Sequence, residues 1–303
     1  MQTKRGLIVA GVFLFSLFAF GASSQTVAAQ SADDGRESIT LSPTSIKLQI
    51  DAGKTATGKL TVVNDGAIGY DFLVYARPYS IVDNAYDNPD FTNVTKYSDL
   101  YGWVQFPKTS YRIEAGATLE IDYKITVPSG AAPGGHYGVV FAETQPDDSA
   151  DGGNAVIRKK RVGTIAYVTV NGQYKNEGEA AKGSIDFWQL QPPLRATVIA
   201  KNTGNTDFTS TTRLTVRDMF GSKKYESVKE FQVLPETTRT MPLEWTNSPW
   251  FGLFKIETEQ KFLDKTDTSE GYVLMMPRYM PIAFIVIIII GGIFYVWRRK
   301  HRR

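Results

Sequence analysis

Leu119-Glu120-Ile121-Asp122-Tyr123-Lys124-Ile125-Thr126-Val127 decides the fold. Its odd positions are apolar and its even positions are polar. In an extended chain this buries one face and leaves the other wet. No amphipathic-helix signal competes with it anywhere before residue 279. Working outward, Glu114-Ala115-Gly116 is a turn, and Tyr111-Arg112-Ile113 and Trp103-Val104-Gln105-Phe106 are further strands. Ile46, Leu48 and Ile50 alternate before the turn Asp51-Ala52-Gly53-Lys54. Lys59-Leu60-Thr61-Val62 alternates before Asn64-Asp65-Gly66, and Tyr70, Phe72, Val74 and Ala76 line one face of the next strand. On the far side lie strands with Tyr137, Val139 and Phe141, and with Val162, Thr164, Ala166, Val168 and Val170. Strand and turn at ~10-residue spacing read as a β-sandwich.

A second set follows the Lys/Glu/Gly-rich stretch Gly172 to Gly183: Leu194 to Ala200, Thr212 to Val216, Phe231 with Val233, Met241 to Trp245, Leu253 to Glu257, and a last strand near Tyr272. The expected fold is all-β, two Ig-like β-sandwiches in series. The expected domains are 30–171 and 183–276, joined by a linker at 172–182. Pro78 to Asp99 interrupts the rhythm with Asp83, Asp87, Asn88 and Asp90. These could gather calcium, but without EF-hand spacing they read as a polar loop, and no metal is predicted. Arg158-Lys159-Lys160-Arg161 reads as a solvated strand edge rather than a grip on an anionic polymer.

Both ends are apolar. Lys4 and Arg5 precede the run Leu7 to Ala22, and Val27-Ala28-Ala29 offers small residues before Gln30. This is a secretory-signal pattern over residues 1–29. From Tyr279 to Trp297 no residue is charged, and a helix of that length spans ~28 Å, close to the hydrocarbon core of a bilayer. Tyr279, Tyr295 and Trp297 suit the two interfaces. Arg298, Arg299, Lys300, Arg302 and Arg303 would hold residues 298–303 in the cytoplasm. The expectation is a single-pass cell-membrane protein with its N-terminal ectodomain outside.

The chain has 34 basic and 31 acidic residues, but two basic residues lie in the signal and five in the tail, leaving 27 against 31 between them. A mildly acidic ectodomain argues against a nucleic-acid partner. Cysteine is absent, so no disulfide framework, thiolate metal site or cysteine nucleophile exists, and a bacterial source fits best. Of two histidines, His301 falls in the tail and His136 on a core strand. One histidine cannot build a His-rich metal site, and a Ser-His-Asp arrangement would have to use His136, which reads instead as a satisfied or surface histidine. The reading is no enzyme and no cofactor. What remains is binding. Aromatic residues gather around Tyr97, Tyr101, Trp103 and Phe106, and again at Trp245, Trp250 and Phe251. They would serve either as sandwich core or as exposed recognition rings.

Leu41-Ser42-Pro43-Thr44-Ser45, the Asp51 to Lys54 turn, Asn64-Asp65, Tyr97-Ser98-Asp99-Leu100, Phe106-Pro107-Lys108 and Gly134-Gly135-His136-Tyr137-Gly138 carry a resemblance. Over Ile39 to Val170 the chain resembles the peptidoglycan-binding domain of the WxL-interacting proteins of bacterial surfaces. The second half, with Val233-Leu234-Pro235-Glu236 and Trp245 before Phe251-Gly252, looks like a generic bacterial Ig-like or NEW3-type domain, and departs from that family's host-binding domain. The resemblance implies a surface protein binding cell-wall peptidoglycan or a secreted partner, with Tyr101, Trp103 and Tyr137 as candidate binding rings. The alternative is an exported chaperone-like sandwich that assists assembly of surface subunits by strand addition. A glycan hydrolase would need two facing carboxylates in a cleft.

Overall fold

The computed structural model describes residues 38–145, 159–181 and 183–300. The signal-like residues 1–29, Arg158 of the basic run, and His301, Arg302 and Arg303 lie outside that range. The described chain is mostly β, with one C-terminal apolar helix.

Nine strands build the first sandwich: β1 (Thr40–Ser42), β2 (Ser45–Ile50), β3 (Thr55–Val63), β4 (Tyr70–Pro78), β5 (Val104–Gln105), β6 (Ser110–Ile113), β7 (Thr118–Thr126), β8 (Gly134–Thr144) and β9 (Arg161–Val170). They form a four-stranded sheet in the order β1-β3-β7-β5 and a five-stranded sheet in the order β2-β9-β8-β4-β6. The alternation of residues 119–127 does what it predicts. Ile121, Tyr123, Ile125 and Val127 are buried, and Glu120, Asp122 and Lys124 are exposed. Leu60, Val62, Phe72, Val74, Val140 and Val168 meet them from both sheets to make one core.

Eight more strands follow: β10 (Gly178–Ala181), β11 (Trp188–Gln189), β12 (Leu194–Asn202), β13 (Phe208–Asp218), β14 (Lys223–Val233), β15 (Thr238–Trp245), β16 (Gly252–Phe262) and β17 (Lys265–Met275). Their sheets run β10-β12-β15 and β11-β17-β16-β13-β14, around a second core centred on Leu194, Leu214, Leu243, Ile256 and Val273. The expected linker at 172–182 is shorter than its composition suggests. Residues 178–181 are β10, paired with β12 from Gly178↔Asn202 to Ala181↔Ile199. Backbone pairing recruits a strand there without any apolar alternation to announce it. The helix α1 (Tyr279–Lys300) runs past Trp297, since Arg298, Arg299 and Lys300 form its last turn.

Strand β8 is buried along both faces, because a third apolar cluster covers the outer face of its sheet. Tyr79, Tyr137, Val139 and Phe141 of the first sandwich pack there with Leu234 of the second. Polar bonds surround the cluster. Gly135 N donates to Asn205 O at 2.8 Å, Thr238 N to Asn84 Oδ1 at 2.7 Å, and Tyr97 Oη to Glu236 Oε1 at 3.0 Å. The Arg239 guanidinium lies 4.3 Å over the ring of Tyr86.

Candidate functional site

Trp103 and Tyr137 are not presented to a ligand. Trp103 follows a short 3-10 turn (Leu100–Gly102), is 8% exposed, belongs to the first core and packs 4.5 Å from the ring of His136. Tyr137 has no exposed surface, and its Oη donates to Asp207 Oδ1 at 3.0 Å. Reaching either ring would require opening the fold. Tyr101 is 36% exposed and is the one member of the trio at the surface. The second aromatic group divides. Trp245 is half-buried and stacks on Tyr225, whereas Trp250 and Phe251 stand exposed.

His136 is a satisfied core histidine. Nδ1 lies 2.7 Å from Asp99 Oδ1 and Nε2 lies 2.9 Å from Ala132 O. Burial opposes its charge, but the bonds to Asp99 and Ala132 outweigh that, and its pKa is raised. Both ring nitrogens of His136 are occupied by these partners. In the polar loop, Asp90 Oδ1 accepts from Thr92 N and Asn93 N, and Asp83 and Asn84 take positive φ. Among the described residues no group of three or more metal-ligating side chains comes together.

One main-chain edge of the first sandwich is left partly unpaired. Strand β7 pairs with β3 along its whole length, from Thr126↔Thr55 to Thr118↔Val63. On its other side, among the described residues, it meets only β5, at Val104↔Ile125 and Gln105↔Lys124. Thr126 N donates to Trp103 O on that side. Because successive residues of a strand turn their N–H and C=O to opposite sides, Asp122 and Glu120 present theirs the same way as Thr126. The chain leaves β5 for β6, which belongs to the other sheet, so opposite residues 118–123 no strand follows among the described residues. Beside this open half-edge lies a groove of about 700 Å³ lined by Gln105, Phe106, Pro107, Asp122, Tyr123 and Lys124. Gly58 also lines it, and a Cβ there would collide with the Tyr123 ring.

The longer edge, β14, is protected. It carries Lys223, Lys224, Glu226, Lys229 and Glu230, and Arg239 caps the carbonyl of Gln232 at 2.7 Å. Charges along an edge and a side-chain cap are how proteins discourage unwanted strand pairing.

No protein-family model matches this sequence, and no curated protein does. The chain is similar in structure to a class 5 fimbrial chaperone, at 11% identity and a TM-score of 0.40, over 78% of this chain and 99% of that one. It is similar to a chain of the chaperone–tip-subunit pre-assembly complex of Acinetobacter baumannii Csu pili, at 11% identity and a TM-score of 0.40, over 77% and 97%. It is also similar to an E. coli chaperone, at 10% identity and a TM-score of 0.38, over 79% and 98%. The expected kinship with WxL-interacting proteins is overturned: no family model supports it, and the solved structures it resembles are of another kind. The motifs behind that expectation are turns and strand ends, which many sandwiches share. Leu41 to Ser45 spans the change from β1 to β2, and Asn64 buries its side chain to bond Ile68 O and Glu114 O.

Proposed function

We propose that this chain is a singly anchored membrane protein whose two Ig-like domains face outward and hold an exported partner protein without catalysis. The partner contributes an extended segment that pairs with the open edge of β7 and places alternate side chains in the adjoining groove. In this mode main-chain bonds supply affinity and the groove supplies selectivity. The observation that carries the reading is the half-paired β7, whose Glu120 and Asp122 face a side that β5 does not reach. The anchor is α1, 22 residues long, which carries Tyr279, Tyr295 and Trp297 toward its ends and Arg298, Arg299 and Lys300 in its last turn. Peptidoglycan draws no support from Trp103 and Tyr137, two of the three candidate rings, because both are buried.

The test is a pull-down of the organism's secreted proteins with the full chain in detergent, alongside sedimentation with purified peptidoglycan. Asp122→Pro is the decisive variant. Proline removes an outward N–H but no bond to β3, as edge positions tolerate. Loss of a captured protein in Asp122→Pro, with the melting temperature kept, supports strand addition. Capture that ignores the substitution, or sedimentation with peptidoglycan in its place, overturns it.

A further inference from the structure

The strand registers bring three separate chain segments to the end of the second sandwich from which α1 departs. Trp188 pairs with Leu274, and Leu274 N and Met276 N donate to the carbonyls of Phe187 and Gln189. The Trp188 indole N–H donates to Met276 O at 2.8 Å. Gly252 pairs with Met275, which brings Trp250 and Phe251 to the same level. Asp218 pairs with Phe254, two residues from Gly252, so the turn carrying Met219 and Phe220 also reaches it. The helix begins at Tyr279, four residues beyond Met275.

The side chains displayed there are large, apolar and uncovered. Phe220 is 86% exposed, Met219 67%, Phe187 60%, Phe251 59%, Trp250 58% and Trp188 48%. A soluble surface scatters such residues singly, whereas clustering at one end marks a contact. These positions owe nothing to a sandwich core, which is already filled by Phe254, Ile256, Val273 and Met275. Arg278, just before the helix, adds the positive charge that suits lipid headgroups, while Lys223 and Lys224 beside the Phe220 turn pair with Glu226 and Asp218.

We infer that this end of the second sandwich is a membrane-docking surface, with Trp188, Phe220, Trp250 and their neighbours seated in the interfacial zone of the bilayer that α1 enters. The occupant follows from connectivity. A chain entering lipid at Tyr279 holds Met275 within a few residues of the headgroups, and the registers hold the three aromatic segments at that same level. Indole and phenyl rings prefer this zone because one part of it is apolar and the other wet. The sandwich would then stand on the membrane at a fixed angle instead of swinging on residues 276–278. This rests on α1 spanning a bilayer.

Because the sequence has no cysteine, single cysteines can be placed cleanly in the full chain, spin-labelled and reconstituted in phosphatidylcholine–phosphatidylglycerol vesicles. The sites are Phe220→Cys, Trp250→Cys, Asp264→Cys in the turn at the opposite end, and Ile288→Cys within α1. The readout is the ratio of collisions with oxygen to collisions with a water-soluble nickel chelate. The inference expects that ratio to rise at 220 and 250 relative to 264, toward the value at 288. Aqueous values at 220 and 250 beside a lipid value at 288 overturn docking and leave the anchor standing. An aqueous value at 288 removes the anchor and docking with it.

Discussion

Tyr137→Phe removes one oxygen atom from the seam between the two sandwiches, and the structure sets what that should cost. The Tyr137 hydroxyl is wholly buried and donates to Asp207 Oδ1 at 3.0 Å. Burial pushes the phenol well above its ordinary pKa, so it stays a donor across the working range. Burial also raises the pKa of Asp207, and the Tyr137 bond pulls against that by favouring the carboxylate. Without the hydroxyl, an ionised Asp207 loses its Tyr137 partner. A hydrogen bond to a charged group lost in this way costs about 2 kcal/mol, or roughly 4–8 °C in melting temperature for a body of this size. The pH dependence has a definite sign. A carboxyl whose folded pKa lies above its unfolded value binds protons more readily folded than unfolded, so its ionisation lowers stability as pH rises through that window. The penalty of Tyr137→Phe should therefore be largest above the folded pKa of Asp207 and shrink as pH falls below it. Asp207→Asn, which keeps an acceptor for Tyr137, should cost little at neutral pH and flatten the acid-side profile. The assay is thermal melting of the full chain in detergent, followed by the near-ultraviolet aromatic signal between pH 3 and pH 8. An unchanged melting temperature, or a penalty independent of pH, would refute the coupling.

Trp103→Ala should destabilise the fold by ~3–5 kcal/mol, as a large core cavity does; a normal melting temperature with lost binding would return Trp103 to the surface. His136 has a folded pKa raised above the ordinary 6.5. The stability from its protonated form is present below that value and lost as pH rises through the folded pKa. Asp99→Asn should flatten this part of the stability profile, and a profile identical to wild type would count against the pair. Gly58→Ala should cost about 1–3 kcal/mol, because a methyl group there displaces the Tyr123 ring. Urea denaturation measures it, and a neutral result would mean the ring has another place to go.

Much of the architecture was legible because each sandwich buries one face of its strands. Residues 119–127 and 194–200 show the two-residue period in plain form. The strands that escaped reading are those whose surroundings differ. In β14 the core-facing position 229 is a lysine, exposed and bonded through Nζ to Pro242 O, so the alternation breaks where the edge is protected. The first half of β17, Lys265 to Glu270, is polar throughout and is held by its register with β16 rather than by burial. The burial of Tyr137 was hidden for a related reason. The sequence shows that Tyr137 points to the face opposite Val140 and Ala142, which an isolated sandwich would expose. It does not show that Leu234 and Asp207 arrive from the second sandwich to cover it. The half-paired edge of β7 has no compositional mark at all. It exists because β5 is two residues long and the chain then changes sheets.

Residue-resolved hydrogen exchange along β7, with and without a captured partner, tests strand addition most directly. Without the partner, the outward amides of Glu120 and Asp122 should exchange fast, while those of Ile121 and Tyr123, turned toward β3, should exchange slowly. With the partner bound, the account predicts that Glu120 and Asp122 become protected too, joining Ile121 and Tyr123. Protection confined to the loop of residues 83–90 or to the second sandwich, with Glu120 and Asp122 still exchanging freely, would contradict it.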